Sequence, residues 1–211
     1  MKKIVLLFLI IFPAIAHTQD MKEVFVNMPD SLCPLLTKNN RADFADFLDS
    51  KMKAEVKNKF DNTSEMKVLT KDYTLVETSL ASTLQMKLLP VNDSTKVICM
   101  IRTVNGPASD SEIRFYSTTW KEIPLENYLT EPSIDSFFIV SDTVNTEKLF
   151  SARSVADMNL IKATLASDAQ TLSFDYATVD YMDKDAAKEI RSYIKKTPLI
   201  YKWENGKFIE N

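Results

Sequence analysis

The spacing of hydrophobic residues predicts one long helix in the N-terminal part of the chain. Between residues 41 and 60, five apolar residues recur at helical spacing: Phe44, Phe47, Leu48, Met52 and Val56. This stripe predicts an amphipathic helix that packs one face on a core, with Asn40 as its cap. Asp43, Asp46 and Asp49 fall on the opposite side. Acids near a helix N-terminus are favoured by the macrodipole, so a solvated face explains them better than a cation site.

A shorter helix is predicted just upstream. Leu32, Leu35 and Leu36 lie on one face of a helix over residues 32–37, and Asp30 or Ser31 provides the cap. Residues 38–40 read as a turn. The two helices therefore form a predicted helix pair.

After residue 64 the hydrophobic pattern changes to a period of two, which predicts strands. Four strands are predicted, over residues 73–78, 83–91, 97–104 and 112–116. In the second of them, Leu84, Met86 and Leu88 face one way, and Thr83, Gln85 and Lys87 face the other. The run from Val97 to Ile101 is apolar throughout, as expected of a central strand covered on both faces. A helix pair followed by this antiparallel meander predicts an α+β fold.

The last part of the chain predicts one more helix and a hairpin. Residues 183–196 have helical spacing with Asp183 as the cap, and residues 199–203 read as a strand. Asn205-Gly206 follows, and this dipeptide between apolar strands predicts a tight hairpin turn.

Similar motifs in the two halves suggest a tandem duplication. Leu80-Ala81-Ser82 recurs as Leu165-Ala166-Ser167, and Tyr116 recurs as Tyr201 at the same separation. Pro29-Asp30-Ser31-Leu32 likewise resembles Pro132-Ser133-Ile134-Asp135. We therefore predict two units. Residues 20–125 would hold the helix pair and a four-stranded sheet, and residues 126–211 a shorter α+β unit.

The first 19 residues have the features of a removable export signal. Lys2 and Lys3 precede an apolar run over residues 4–15, and Ala14-Ile15-Ala16 fits a small-x-small cleavage pattern. Cleavage is predicted after Ala16 or after Gln19. The run is too short to span a bilayer, which needs about 20 apolar residues, and no other segment approaches that length. We therefore expect a periplasmic or secreted protein without a membrane span.

The composition excludes several chemistries. The chain has two glycines, so it cannot form a glycine-rich phosphate loop. Its one histidine, His17, lies in the signal region, which leaves no histidine base or histidine-rich metal site in the folded part. The formal net charge is −3 and the charges are interspersed, which argues against nucleic-acid binding. The sequence therefore predicts no catalytic residues, no cofactor and no metal site.

Five motifs along the chain stand out together: residues 25–32 (FVNMPDSL), 36–41 (LTKNNR), 49–56 (DSKMKAEV), 88–91 (LLPV) and 103–111 (TVNGPASDS). They resemble the bacterial family named domain of unknown function 3256. The resemblance covers essentially the whole mature chain and implies an exported α+β protein of unknown role. It carries over no catalytic residues, because the family has no established activity. The repeat of helices and sheet also resembles the tandem architecture of the beta-lactamase inhibitor protein, and that likeness of pattern transfers no function.

Cys33 and Cys99 leave two alternatives open. An exported protein can form a disulfide, and the predicted first helix and central strand could pack together. Closing that loop would stabilise the fold by about 4 kcal/mol. The alternative is two buried free thiols that act as small hydrophobic side chains.

Three functional classes remain, and the third is a purely structural component of the envelope. The first, which we favour because catalytic apparatus is missing, is a non-enzymatic module that binds a protein or envelope partner along an exposed sheet face. The second is a carboxylate-dependent hydrolase or binder of envelope glycan, since any fold can bring two acids together. Trp120 and Trp203 could stack on a sugar in that case, although core positions explain them better.

Overall fold

The computed structural model describes residues 19–139, 146–156 and 158–211 of the 211-residue chain. The predicted signal, residues 1–19, lies outside the described residues apart from Gln19. Export and the two cleavage positions therefore stay predictions. Within the described ranges, no helix has the length and apolar character needed to cross a membrane.

The described ranges contain four α-helices and two antiparallel sheets. The helices are α1 (Met21–Val26), α2 (Lys38–Asp49), α3 (Thr146–Ser154) and α4 (Lys184–Arg191). The first sheet contains β1 (Glu55–Lys57), β2 (Thr63–Leu69), β3 (Tyr73–Ser79), β4 (Ser82–Pro90), β5 (Lys96–Asn105), β6 (Ser109–Ser117) and β7 (Glu122–Ile123). The second contains β8 (Ile161–Leu165), β9 (Thr171–Tyr176), β10 (Leu199–Glu204) and β11 (Lys207–Glu210). Each strand pairs with its neighbour in sequence, so both sheets are meanders and the predicted α+β class is confirmed.

The four predicted strands correspond to β3, β4, β5 and β6, but the prediction of a four-stranded first sheet is wrong. The sheet has seven strands. The missed strands β1 and β7 have three and two residues, too few to show a period. In β2 the alternation is broken by a register shift between Met66 and Val68.

The predicted long helix over residues 41–60 is wrong at both ends. Its N-terminus lies one turn earlier, where Thr37 accepts a hydrogen bond from the Asn40 N–H at 3.1 Å and Asn40 Oδ1 accepts one from the Thr37 N–H at 3.0 Å. This capping box makes Asn40 a helical residue and Thr37 the cap. The helix ends at Asp49, and Lys51 then adopts a left-handed conformation with φ of 57°. Met52, predicted on the apolar stripe, is consequently 56% exposed.

The predicted short helix over residues 32–37 is also wrong. The helical segment lies upstream, in α1, where Asp20 accepts a hydrogen bond from the Glu23 N–H at 2.9 Å. Pro29 follows α1, and a single 3₁₀ turn occupies Asp30–Leu32. Proline lacks an N–H and restricts the residue before it, which favours a break here over a continuous helix.

The helices α1 and α2 cover one face of the first sheet. The buried side chains include Met21, Phe25 and Phe44 of the helices and Leu36 of their connection, and the sheet contributes Leu84, Met86, Leu88, Ile98 and Met100. The predicted common face of Leu84, Met86 and Leu88 is confirmed. We call this cluster the helix-side core.

One charged side chain lies within this layer. Arg41 of α2 is 1% exposed, and its guanidinium donates to the carbonyls of Met28 and Leu36 at 2.5 and 2.8 Å. It also pairs with Asp30 Oδ1 at 3.0 Å. Buried carbonyls without helical partners need donors, and Arg41 supplies them for the connection between α1 and α2.

The second sheet packs on the opposite face of the first sheet. This core contains Leu89, Val97, Cys99, Ile101 and Phe115 from the first sheet and Leu165, Leu172, Phe174, Tyr201, Trp203 and Phe208 from the second. We call it the inter-sheet core. The prediction that Val97–Ile101 is covered on both faces is therefore confirmed. Helices, first sheet and second sheet form three successive layers.

Polar side chains of the first sheet bond the open edge of β8. The N–H groups of Ile161, Ala163 and Leu165 donate to Asp110 Oδ1, Ser111 Oγ and Gln85 Oε1, at 3.2, 3.0 and 2.9 Å. Lys87 Nζ donates to the carbonyls of Ala166 and Ser167 at 2.9 and 3.1 Å. We call this set of bonds the polar seam. It satisfies an edge that would otherwise be unpaired.

The C-terminal hairpin is confirmed. Asn205 and Gly206 have φ of 51° and 75°, the left-handed values of a tight turn between β10 and β11. Asp183 caps α4 as predicted, accepting from the Asp185 and Ala186 N–H groups. The helix ends at Arg191, five residues before the predicted end at residue 196. Strands β8 and β9 were not predicted.

The two predicted units share one core. All seven strands of the first sheet lie within residues 20–125, and all four of the second within residues 126–211. Leu80 lies in the β3–β4 turn, and Leu165 immediately precedes the β8–β9 turn. Tyr116, however, faces the helix-side core, whereas Tyr201 faces the inter-sheet core. The tandem repeat stays a prediction.

Cys33 and Cys99 lie on opposite faces of the first sheet, so of the two alternatives left open the structure shows the second, two buried free thiols, and not the disulfide. Both are buried free thiols. Cys33 belongs to the helix-side core and Cys99 to the inter-sheet core. Alternation along β5 explains the separation, since Ile98 and Met100 face the helices and Cys99 between them faces away.

Replacing Arg41 by methionine should strongly destabilise the fold. Arg41→Met leaves the Met28 and Leu36 carbonyls without donors, and we expect a loss of about 3 kcal/mol in the free energy of unfolding, measured by urea denaturation. Arg191→Met is the matched control. Both side chains of the Arg191–Asp180 pair are more than half exposed. Arg191→Met should therefore lower the free energy of unfolding by less than about 1 kcal/mol. Equal losses in the two variants would contradict the anchoring role of Arg41.

Both thiols should be unreactive in the folded protein. Burial raises the pKa of Cys33 and of Cys99, and the thiolate is the reactive form. A disulfide-exchange reagent at pH 8 should therefore label neither cysteine until denaturant is added, and then label both. If fewer than two thiols per chain are labelled in denaturant, the prediction fails and the disulfide alternative holds instead.

Candidate functional site

Four segments meet at one end of the first sheet, and together they form what we call the tip. They are residues 34–35, 58–62, 80–81 and 104–108. In an antiparallel meander, the β1–β2, β3–β4 and β5–β6 connections must emerge at the same end. Backbone bonds join them to each other and to the helix pair. Lys59 N–H donates to the Leu35 carbonyl at 3.0 Å, and Asn105 N–H donates to the Ala81 carbonyl at 2.7 Å.

Asn58 fixes the β1–β2 loop of the tip. Its side chain is 5% exposed and makes four hydrogen bonds. Oδ1 accepts from the N–H groups of Phe60 and Asn62 at 3.0 and 3.2 Å. Nδ2 donates to Ser64 Oγ and to the Thr78 carbonyl at 3.1 and 3.3 Å. The loop backbone is thus held to β2 and β3 by a buried side chain.

Large apolar side chains project from this fixed backbone. Leu80 is fully exposed, and Phe60 and Val104 are 71% and 62% exposed. Pro34 is exposed and Leu35 half-buried beside them. Single exposed apolar residues are common on protein surfaces, but several gathered on one end are typical of interaction sites.

A cavity of about 190 Å³ opens at the tip, between the helix-pair connection and strands β3–β5. Its walls are mostly apolar and include Leu32, Cys33, Leu35, Leu84 and Val104. Among the described residues of the lining, Arg102 is the one that is charged. Burial raises the pKa of the Cys33 thiol, so this part of the wall is neutral. The cavity is therefore an apolar recess with one cation.

Both tryptophans are packed in cores. Trp203 lies against Phe208 and Tyr128, with ring centroids 4.9 and 5.8 Å away, and its Nε1 donates to the Pro90 carbonyl at 2.7 Å. Trp120 packs on Tyr116 and donates to the Val24 carbonyl at 3.3 Å. Trp203 is 8% exposed, at the wall of the cleft described below, and Trp120 is half-buried against the helix-side core, so the core interpretation agrees with the structure better than sugar stacking does.

The three acids of α2 are not brought together as a ligand set. Asp49 and Asp46 pair with Lys22 of α1 at 2.6 and 3.5 Å, and the hydrogen bond to Asp49 raises the pKa of Lys22. Asp43 is exposed. In the described part of the chain, no group of three or more acidic, histidine or cysteine side chains has the geometry of a metal site.

Two other recesses bear on the hydrolase alternative. A cleft of about 490 Å³ at the end opposite the tip is lined by one acid, Asp93, in the part that the structure describes. A smaller recess of about 160 Å³ contains two, Asp110 and Glu131. Asp110 already accepts the Ile161 N–H of the polar seam. A two-carboxylate mechanism requires both acids to face the substrate.

The predicted exposed sheet face exists on the outside of the second sheet. Lys162, Thr164, Ser173, Asp175 and Lys202 lie on it, with Ile200 half-buried and Ile209 exposed. Burial raises the pKa of the Asp175 carboxyl, against the opposing effect of Lys162. This face is mainly polar, and it is less suited than the tip to an apolar contact.

The residues of the tip were not predicted as functional. The sequence analysis placed Phe60 at the end of a helix and Val104 at the end of a strand. It named Leu80 only as part of the repeated motif. Their exposure depends on which loops emerge together, and that depends on strand order. A signal did exist, since each is an apolar residue next to a turn sequence of Asp, Asn, Ser or Gly.

Comparison with known proteins supports the fold and the family. A domain of an uncharacterized protein from Porphyromonas gingivalis W83 has a solved structure that matches with a TM-score of 0.79 and 23% sequence identity, over 90% of this chain and 98% of that one. At this identity the match shows the fold alone, and the likeness to the beta-lactamase inhibitor protein is not confirmed. Comparison with curated proteins gives no match. The model of the family described as "Protein of unknown function (DUF3256)" matches residues 14–208, and the chain therefore belongs to that family.

Proposed function

We propose that this protein is an exported, non-enzymatic binding module of the cell envelope and that it contacts a protein partner through the tip. The observation that carries the proposal is the presence of three large exposed apolar side chains at the same end of the first sheet, Phe60 and Leu80 on turns and Val104 near the end of β5, with the backbone there fixed by hydrogen bonds. Export is supported by the signal-like segment at residues 1–19.

The rigidity of the tip supports a binding role for its exposed apolar side chains. Exposed apolar groups on a mobile loop would lose conformational freedom on association, which opposes binding. At the tip, Asn58 and the bonds between loops restrict the backbone before any partner arrives. A partner therefore gains the burial of apolar area at a lower entropic cost.

The glycan-hydrolase alternative is supported less well. It requires a concave site with convergent acids, and one of the two acids that share a recess, Asp110 and Glu131, is already bonded within the protein. Asp110 holds the edge of β8 at 3.2 Å. No observation gives it a second, catalytic role, so we keep the binding function as the single proposal.

Removing a tip side chain should strongly reduce capture of the partner. The full chain with a C-terminal affinity tag is expressed in the producing bacterium, cross-linked, and purified from the envelope fraction, as wild type and as Leu80→Ser. Burying a leucine side chain contributes about 1.5–3 kcal/mol, so recovery of the partner, measured by quantitative mass spectrometry, should fall at least about tenfold.

Ile209→Ser is the matched control, because Ile209 is an exposed apolar residue of β11 outside the tip. It should leave recovery unchanged. Both substitutions are at exposed positions and should alter stability little, which thermal unfolding checks. Equal recovery from wild type, Leu80→Ser and Ile209→Ser, or no protein enriched by wild type, would overturn the proposal.

A further inference from the structure

The recess at the tip has a chemistry that the proposed function does not by itself explain. Three of the hydroxyls in its described lining are already paired within the protein. Thr78 Oγ1 and Ser82 Oγ are 2.8 Å apart, and Thr103 Oγ1 lies 2.8 Å from Ser111 Oγ. The charged group that the described lining offers to a ligand is the guanidinium of Arg102.

Arg102 has no anionic partner among the described residues. One of its N–H groups donates to the Leu32 carbonyl. The acid directly across from it on β6 is Glu112, and Glu112 is bonded by Arg114, with Nε at 2.8 Å. A guanidinium has five N–H donors arranged to bind a planar anion by two of them at once. Arg102 is thus a half-buried cation with donors to spare beside an apolar recess.

The volume of the recess sets the size of the apolar group that it can hold. A dry protein cavity of about 150 Å³ lined by apolar side chains is enough for benzene. The recess of about 190 Å³ therefore suits one large apolar side chain. A single guanidinium matches the one charge of a carboxylate, whereas a phosphate carries nearly two charges at neutral pH. The complementary ligand is an apolar group joined to a carboxylate.

We infer that the recess binds the C-terminal residue of a partner polypeptide, with its free carboxylate on Arg102 and a large apolar side chain between Leu84 and Leu35. The surroundings favour a polypeptide over a free acid, because Pro34, Leu80 and Val104 extend the apolar surface beyond the recess. A small acid would leave that surface uncovered. Capture of a terminal carboxylate is a recurring mode of peptide recognition. The inference rests on the proposed function and specifies its partner.

The test is a synthetic array of random heptapeptides with free C-terminal carboxylates, incubated with the labelled mature chain, residues 20–211. Bound peptides should end in leucine, isoleucine, methionine or phenylalanine. For the best of them, isothermal titration should show at least tenfold weaker binding when the carboxylate is replaced by a carboxamide. Arg102→Met should cause a similar loss. Arg191→Met, which removes an exposed cation of α4 outside the recess, should change the affinity less than twofold.

Three results would overturn the inference: no apolar preference at the last position, equal binding of carboxylate and carboxamide, or binding of 4-methylpentanoate as tight as that of the peptide. If Arg102→Met does not fold, the carboxamide comparison on the wild-type protein still decides. The two proposals fail separately. Loss of capture in Leu80→Ser together with equal carboxamide binding keeps the proposed function and rejects the carboxylate, whereas a carboxylate preference with unchanged capture in Leu80→Ser rejects the proposed function.

Discussion

The polar seam between the two sheets is the interaction on which the rest of the structure depends. An antiparallel sheet has edges with unpaired N–H groups, and β8 presents such an edge to the first sheet. Gln85, Ser111 and Asp110 accept those N–H groups, while Lys87 donates to the carbonyls that follow β8. Gln85 and Lys87 lie on the face of β4 opposite Leu84 and Leu88, so one strand serves both the helix-side core and the seam. Because the seam holds the second sheet against the first, strands β4, β5 and β6 are buried on both faces.

This layered burial explains why the apolar surface is concentrated at the tip. Helices cover one face of the first sheet and the second sheet covers much of the other. The turns that emerge at the end of the strands have no layer above them, and there Phe60 and Leu80 remain exposed. The same turns are connected by backbone bonds, and Asn58 holds the first of them. A rigid scaffold that presents loop residues is a common arrangement for binding. Arg102 lies where this surface meets the helix pair, which gives an apolar site one directional polar contact.

Much of the fold could be predicted from local patterns, and the failures have physical causes. Strands β3–β6 and the final hairpin follow from alternation and from Asn205-Gly206, signals that depend on neighbouring residues alone. Alternation placed Gln85 and Lys87 on the polar face of β4 but gave no sign that this face is buried, since a lysine and a glutamine are rarely buried without partners. Those partners are backbone groups of Ala166 and Leu165, about eighty positions along the chain, which local patterns do not reveal. The separation of Cys33 from Cys99 was foreseeable from the period of β5, but only with knowledge of which face the helices cover. The tip was missed for the same reason, since exposure is a tertiary property.

The most direct test of this account uses the two tryptophans as separate probes. Trp120 packs at the helix-side core, and Trp203 lies in the inter-sheet core with its Nε1 on the Pro90 carbonyl. In Trp203→Phe the remaining Trp120 reports on the helix-side core. In Trp120→Phe the remaining Trp203 reports on the inter-sheet core. If the seam joins the layers into one cooperative structure, then in each variant the urea transition followed by tryptophan fluorescence should coincide with that followed by far-ultraviolet circular dichroism. A transition of Trp203 at clearly lower urea than the loss of secondary structure would mean that the second sheet detaches by itself, and would contradict the account.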